Sequence, residues 1–205
     1  MVNHTDNPNA PPAGPLAGRE VLLCLTGGIA CYKAADLASK LVQAGSGVRV
    51  AMTDAAQHFV CPLTFQALTG RKVYTSMWQA GDDYSSQHLS LTDQAELMIV
   101  APATADIIAK LAGGLADDLV STLALSAHGA CPILLAPAMN SRMWLAPATQ
   151  ANMVRLRDWG MHVVGPGTGR LACRTTGPGR MAEPDEILAA ATDLLLHGPQ
   201  GLPTA

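Results

Sequence analysis

Residues 21–56, VLLCLTGGIACYKAADLASKLVQAGSGVRVAMTDAA, carry the pattern on which the fold turns. Val21–Leu25 is apolar at every position, and Val48–Met52 is aliphatic apart from Arg49. Between them lie a tight turn, TGGIA, and a helical pattern from about Ala30 to Ala44. A strand that is apolar on both faces must be covered on both faces, and helices of roughly 10–15 residues between such strands are the crossovers of a parallel sheet. The same unit recurs downstream. Helical turns run through Leu68, Leu97–Ala101 precedes a helix from Ala103, and Ile133–Ala136 precedes one from about Leu145. Val163–Val164 then leads to a last helix from Pro184. The expected architecture is a single α/β domain, a doubly wound (flavodoxin/Rossmann-like) parallel sheet with helices on both faces. Such sheets bind ligands outside the carboxyl ends of their strands, so the residues just after each run become the candidates.

Composition narrows what those ligands are. The chain has 205 residues, 49% hydrophobic, 14% charged and 4% aromatic, so its core is aliphatic and its surface poor in charge, as suits a buried subunit interface. A formal net charge of −3 without any Lys/Arg cluster argues against nucleic acid or an anionic membrane and for a small molecule. Residues 1–18, rich in Pro, Asn and Ala, have neither a basic nor an apolar signal segment and read as a flexible tail, followed by one domain over 19–196 and a short tail at 197–205. No run approaches the roughly 18 apolar residues of a membrane span, and the expected location is cytoplasmic. Cysteines 24, 31, 61, 131 and 173 form no Cys-x-x-Cys pair, so neither a disulfide framework nor a metal site is expected, and reduced core thiols are.

Each strand tip admits a structural and a functional reading. TGGIA is a turn entering a helix, where free backbone N–H groups and the helix dipole hold a phosphate; it lacks the third glycine of a dinucleotide fingerprint. After the second run, Asp54 stands where a ribose-binding acid would, and Thr53 beside it serves equally as a phosphate hydroxyl. In APATADIIAK, residues 101–110, Thr104 is either an N-cap or a hydroxyl for the polar edge of a flat ring. Asp117 and Asp118 open the following helix and suit its dipole without acid–base chemistry. PAMNSRMW, residues 137–144, sets one amide, Asn140, among Met139, Met143 and Trp144; it is an N-cap or a polar handle in a dry pocket. GRLACRTTGPGRM, residues 169–181, has too many glycines for regular structure and is expected to be a mobile flap with Cys173 in its middle and Arg174 favouring the thiolate. His88 in SSQHLSL, residues 85–91, has no acidic partner in sequence.

In combination these segments are specific. PAMNSRMW is similar to a Pro-x-Met-Asn-x-x-Met-Trp motif, and LACRTTGPGRMAEP to a substrate-flap motif built on Ala-Cys. TGGIACYK, MTDAA, QHLSL, APATADIIAKLAGGLADDLVST and GRMAEPDEI follow in matching order and spacing. The chain thereby resembles the homo-oligomeric flavin-containing cysteine decarboxylases, most closely their phosphopantothenoylcysteine decarboxylase branch, over about Glu20 to Leu188. One departure stands out: the flap motif normally continues Ala-Cys-Gly, where glycine adopts positive φ, and here Arg174 follows Cys173.

The resemblance implies FMN as cofactor and a carboxy-lyase reaction of coenzyme A biosynthesis. In it 4′-phosphopantothenoylcysteine is oxidised to a thioaldehyde, loses CO2 and is re-reduced from the enethiolate to 4′-phosphopantetheine. It places Gly28, Ile29, Thr53, Ala101, Thr104, Ala105 and Ser121 at the cofactor, and Asn140, Met143 and Ala172 at the substrate. His88, Asn140 and Cys173 carry the chemistry, with Cys173 protonating the enethiolate. It further implies a homotrimer, assembled in some members into a dodecamer, and a synthetase activity that in many bacterial relatives is fused to this domain and is here expected on another protein. The alternatives are a flavin-dependent decarboxylase of the C-terminal cysteine of a ribosomal peptide and a non-catalytic FMN-binding regulatory subunit. GRMAEP disfavours the first and the lack of acidic tails the second.

Overall fold

A computed structural model describes residues 14–78 and 87–198, without the side chains of 87–89. Its elements, in chain order, are β1 (Glu20–Leu25), α1 (Cys31–Gln43), β2 (Gly47–Met52), α2 (Asp54–Gln57), α3 (Pro62–Thr69), β3 (Val73–Tyr74) and α4 (Gln87–Asp93). There follow β4 (Leu97–Ala103), α5 (Ala105–Gly113), α6 (Leu119–Ala127), β5 (Ile133–Pro137), α7 (Ser141–Trp144) and α8 (Pro147–Asp158). The chain closes with β6 (His162–Val163), β7 (Gly167–Arg170), β8 (Thr176–Arg180) and α9 (Pro184–His197).

Six strands form one parallel sheet in the order β3-β2-β1-β4-β5-β6. Strand alternation explains why the central runs are apolar throughout. Val21, Leu23 and Leu25 of β1 join Leu97 and Ile99 of β4 in the core under α1, α3 and α9. Leu22 and Cys24 join Met98 and Val100 in the core under α5, α6 and α8. All seven residues of β4 are buried. Each fully buried aliphatic side chain contributes about 1.5–3 kcal/mol, so polar residues in these strands are excluded energetically. α1 shows the complementary helical pattern: Cys31, Ala34, Leu37, Ala38 and Leu41 are buried on one stripe, against which α9 packs.

The doubly wound reading holds, with local corrections. The two-residue edge strand β3 and the helix α4 have too little apolar periodicity to be read from sequence. The helix expected from about Leu145 is α8, which starts at Pro147 in its first turn, and the short α7 ahead of it was not expected. The Gly/Pro-rich segment expected to lack regular structure is an antiparallel hairpin, β7–β8, standing apart from the main sheet. A two-stranded ribbon leaves one side of each strand unpaired, so Pro178 forfeits no obligatory ladder bond. Its glycines serve close packing instead: a Cβ on Gly179, at φ +123, would lie 2.3 Å from the Met139 carbonyl oxygen, and one on Gly177 would lie 2.4 Å from Ser141 Oγ. The cysteines are only partly core thiols. Cys24 and Cys31 are buried, Cys131 is half-buried, and Cys61 and Cys173 are exposed.

Candidate active site

The strand order reverses between β1 and β4, and their carboxyl tips open the crevice where doubly wound folds bind ligands. Thr26 laces the two tips together. Its hydroxyl donates to the Pro102 carbonyl at 2.6 Å and accepts the Thr104 amide at 3.2 Å. Gly27 is required by close approach, since a Cβ there would sit 2.4 Å from that of Ala55 in α2. Thr53 and Thr104 both act as N-caps, accepting the amides of Ala56 and Ile107. The start of α1 differs: its N-cap is Ala30, with no side-chain cap, and the amides of Gly28, Ile29 and Ala30 have no hydrogen-bond partner among the described residues. Unpartnered amides at the positive end of a 13-residue helix form a cradle for an anionic group.

Facing this cradle is the PAMNSRMW segment at the tip of β5. Asn140 caps α7, its Oδ1 accepting the Met143 amide at 2.9 Å, which leaves the side-chain NH2 as a free donor. The hairpin docks on the same segment through Met139 N–H to the Gly179 carbonyl, 2.9 Å. Leu171 N–H to Thr175 O, 2.8 Å, and Arg174 N–H to Leu171 O, 2.9 Å, close the hairpin tip. Arg174 itself takes φ 65, the only non-glycine with positive φ among the described residues, so the backbone that glycine would favour is kept with arginine. Cys173 is exposed on this tip, and the Thr175 hydroxyl, 3.0 Å from its Sγ, holds the thiol below its usual pKa range. The charge that adds to this comes from Arg142 of α7 and not, as expected from sequence, from the adjacent Arg174.

These elements enclose one cavity of about 1060 Å³, lined by Gly28, Ile29, Thr53, Thr104 and Ala105 on the sheet side and by Asn140, Met143, Ala172 and Cys173 on the other. That volume holds a mononucleotide together with an extended substrate arm. Two expected cofactor residues do not line it. Ala101 is fully buried within β4. Ser121 is likewise buried, and its hydroxyl accepts the Asp118 amide to complete the capping box of α6. The backbone of His88 lies in α4, while its side chain is outside the described residues. Lys33, Lys110, Arg170, Arg174 and Arg180 line the cavity with Asp54, Asp106 and Asp118. Lys33 and Arg180 are paired with Glu183 and Lys110 with Asp117 and Asp118, so Arg170 and Arg174, without an ion pair among the described residues, are the charges open to an anionic ligand.

Lys33 escaped the sequence because its partners are distant, and Lys110 although its partners lie only one helix end away. Lys33, buried on α1, donates to the Met181 carbonyl and to Glu183, 150 residues away. Lys110 is gathered by Asp118 at 2.7 Å and Asp117 at 3.0 Å, and the Asp118 hydrogen bond raises its pKa. Burial pushes the Asp118 carboxyl up, but Lys110 and the Ser121 amide outweigh it and hold it below its usual range. The two aspartates are thus a cap and an ion pair, as their position at a helix start suggests.

The profile of the Flavoprotein family matches residues 10–196. The chain belongs to this family. Among curated proteins, this flavoprotein is 48% identical over 176 residues to the coenzyme A biosynthesis bifunctional protein CoaBC of Bacillus subtilis (strain 168), covering 86% of this chain and 43% of the relative. It is 45% identical over 174 residues to the CoaBC of Vibrio vulnificus (strain YJ016), covering 85% and 43%. The chain therefore spans less than half the length of these relatives. Among solved structures, a PPC decarboxylase variant with a cysteine replaced by serine, complexed with pantothenoylaminoethenethiol, superposes with a TM-score of 0.76 at 28% identity, over 84% of this chain and 96% of that one. The FMN-dependent cysteine decarboxylase SpaF gives 0.74 at 28% identity, over 86% and 97%. The FMN-binding protein AtHal3 gives 0.73 at 29%, over 84% and 94%.

Proposed function

We propose that this flavoprotein is an FMN-dependent carboxy-lyase that converts 4′-phosphopantothenoylcysteine to 4′-phosphopantetheine in coenzyme A biosynthesis. The observation that carries the reading is the meeting, in one cavity, of an uncapped helix N-terminus, a free amide on Asn140 and an exposed thiol on Cys173. The amides of Gly28, Ile29 and Ala30 would hold the FMN phosphate, and Thr53, Thr104 and Ala105 border the space for its ring system. FMN, when bound, supplies the two-electron oxidation that makes the substrate an electron sink and returns those electrons after CO2 has left.

The chain's own residues supply binding and protons. The N-cap bond fixes the Asn140 amide with its NH2 free to donate to the substrate carboxylate, and Met139 and Met143, which line the same cavity, supply apolar surroundings that keep this hydrogen bond from being diluted by water. Trp144, expected to do the same, packs on the core instead. Ala172 borders the same space beside Met143. Cys173 delivers the proton to the carbon that lost CO2, a role that requires a thiol within reach and a pKa near working pH. His88 enters on its motif alone, as the group that positions or deprotonates the substrate thiol.

A homotrimeric assembly, with a dodecamer as its higher form, belongs to the same proposal. It is supported by exposed apolar side chains including Ile29, Tyr32, Leu125 and Trp159. No helix among the described residues is long and apolar enough to cross a membrane, and a cytoplasmic location completes the proposal. The test is Cys173→Ser: FMN should stay bound and CO2 should still be lost while the oxidised enethiol accumulates. A normal yield of reduced product from that variant removes Cys173 as the proton donor.

A further inference from the structure

The hairpin tip holds a second side chain whose placement follows that of Cys173. Thr175 Oγ1 lies 3.0 Å from Cys173 Sγ, and no other side chain is hydrogen-bonded to the thiol among the described residues. The geometry of the pair is built by the backbone. The Leu171 amide is bonded to the Thr175 carbonyl and the Arg174 amide to the Leu171 carbonyl, with the left-handed Arg174 between the two side chains. Holding arginine at positive φ is unfavourable relative to glycine, so the tip conformation is maintained against its local preference. Nothing in the fold requires a hydroxyl at 175: the residue is exposed, and its only side-chain partner among the described residues is the thiol.

We propose that Thr175 is the positioning residue for Cys173, accepting a hydrogen bond from its thiol before proton transfer and donating one to its thiolate afterwards. A hydroxyl carries one donor and two acceptor sites and can serve both states of its neighbour. The proposal rests on the reading of Cys173 as proton donor. In that step the S–H bond of Cys173 breaks as a C–H bond forms on the carbon that lost CO2. The electron pair for the reduction is the one the cofactor returns, and the Cys173 thiolate regains its proton from solvent. By donating to the thiolate, Thr175 offsets its charge and so eases the departure of the proton. The lowered pKa of the thiol, for which the Thr175 hydroxyl is the first cause, agrees with this pairing. Arg142 of α7, the charged group acting on the thiol, works in the same direction and stays in place when Thr175 is changed.

The test uses the full-length flavoprotein and two readouts. Iodoacetamide labelling, followed as a function of pH and quantified at the Cys173 peptide to separate it from the exposed Cys61, reports the thiolate. Product analysis with 4′-phosphopantothenoylcysteine reports the ratio of enethiol to reduced product. In Thr175→Val, labelling of Cys173 at neutral pH should fall several-fold, its pH midpoint should move up, and enethiol should build up at the expense of reduced product. Thr175→Ser should restore both. An unchanged labelling profile in Thr175→Val overturns the proposal whatever the turnover. A shifted profile with an unchanged product ratio overturns the positioning role while the hydrogen bond itself stands, and Cys173 as donor is judged separately by Cys173→Ser.

Discussion

Gly179→Ala is the sharpest perturbation of how the cavity is assembled. Gly179 has φ +123, a region that residues bearing a Cβ hardly enter, and the added methyl would lie 2.3 Å from the Met139 carbonyl oxygen and 3.3 Å from the Asn140 carbonyl carbon. Both atoms are backbone, so no side chain can swing away. Backbone strain of this kind costs about 1–3 kcal/mol. Loss of the bond from Met139 N–H to the Gly179 carbonyl adds about 1 kcal/mol. By leaving the PAMNSRMW segment while the main sheet stays folded, the hairpin escapes the strain of about 1–3 kcal/mol at the cost of that bond. Hydrogen exchange measured residue by residue should therefore show the Met139 amide losing protection, with β1 and β4 amides unchanged, and catalysis should fall because Cys173 leaves the cavity. Unaltered protection at Met139 in a folded Gly179→Ala protein would refute the docking argument.

Three further outcomes are expected. Asn140→Asp keeps the cap on α7 but places a carboxylate against the substrate's own, so turnover should be lost with the thermal melt preserved; normal turnover would show that Asn140 does not bind the carboxylate. Arg174→Gly relieves the positive φ and should stabilise the hairpin tip by up to about 1–2 kcal/mol, read as slower proteolytic nicking at residues 171–175. Glu20 is hydrogen-bonded to Arg71 at 2.6 and 3.0 Å, and this bond first, with the charges of Arg71 and Arg49, holds its carboxyl below the usual range against the effect of burial. Its contribution to stability is whole above the ordinary glutamate pKa and is lost as pH falls through the lowered value. The urea midpoint should therefore drop on going from about pH 6 to about pH 3.5, and Arg71→Met should flatten that dependence.

What the sequence conveyed and what it withheld divide along physical lines. The parallel sheet was legible because β1, β4 and β5 are apolar at positions facing both cores, a pattern no solvent-facing strand shows. The tips were legible because Thr26, Gly27 and Asn140 follow those strands directly. The hairpin was not, because its glycines answer to contacts with Met139 and Ser141, about 40 residues earlier in the chain, and local composition alone reads such glycines as loop. Lys33 and Lys110 were missed for a related reason. Helical periodicity marks which face a lysine occupies, but only the folded chain brings Glu183 to Lys33, 150 residues away, and only the turn between α5 and α6 folds Asp118 back onto Lys110. The dual readings of Thr53, Thr104 and Asn140 also resolve only partly: each is an N-cap, and each still borders the cavity. Capping fixes the orientation of a side chain, which is why a cap can double as a binding group.

The central claim is tested most directly by incubating the purified chain with 4′-phosphopantothenoylcysteine and following the products by mass spectrometry, with the cofactor released by denaturation identified in the same sample. The account predicts loss of CO2, formation of 4′-phosphopantetheine and release of FMN. FMN release without any conversion of this substrate would contradict it.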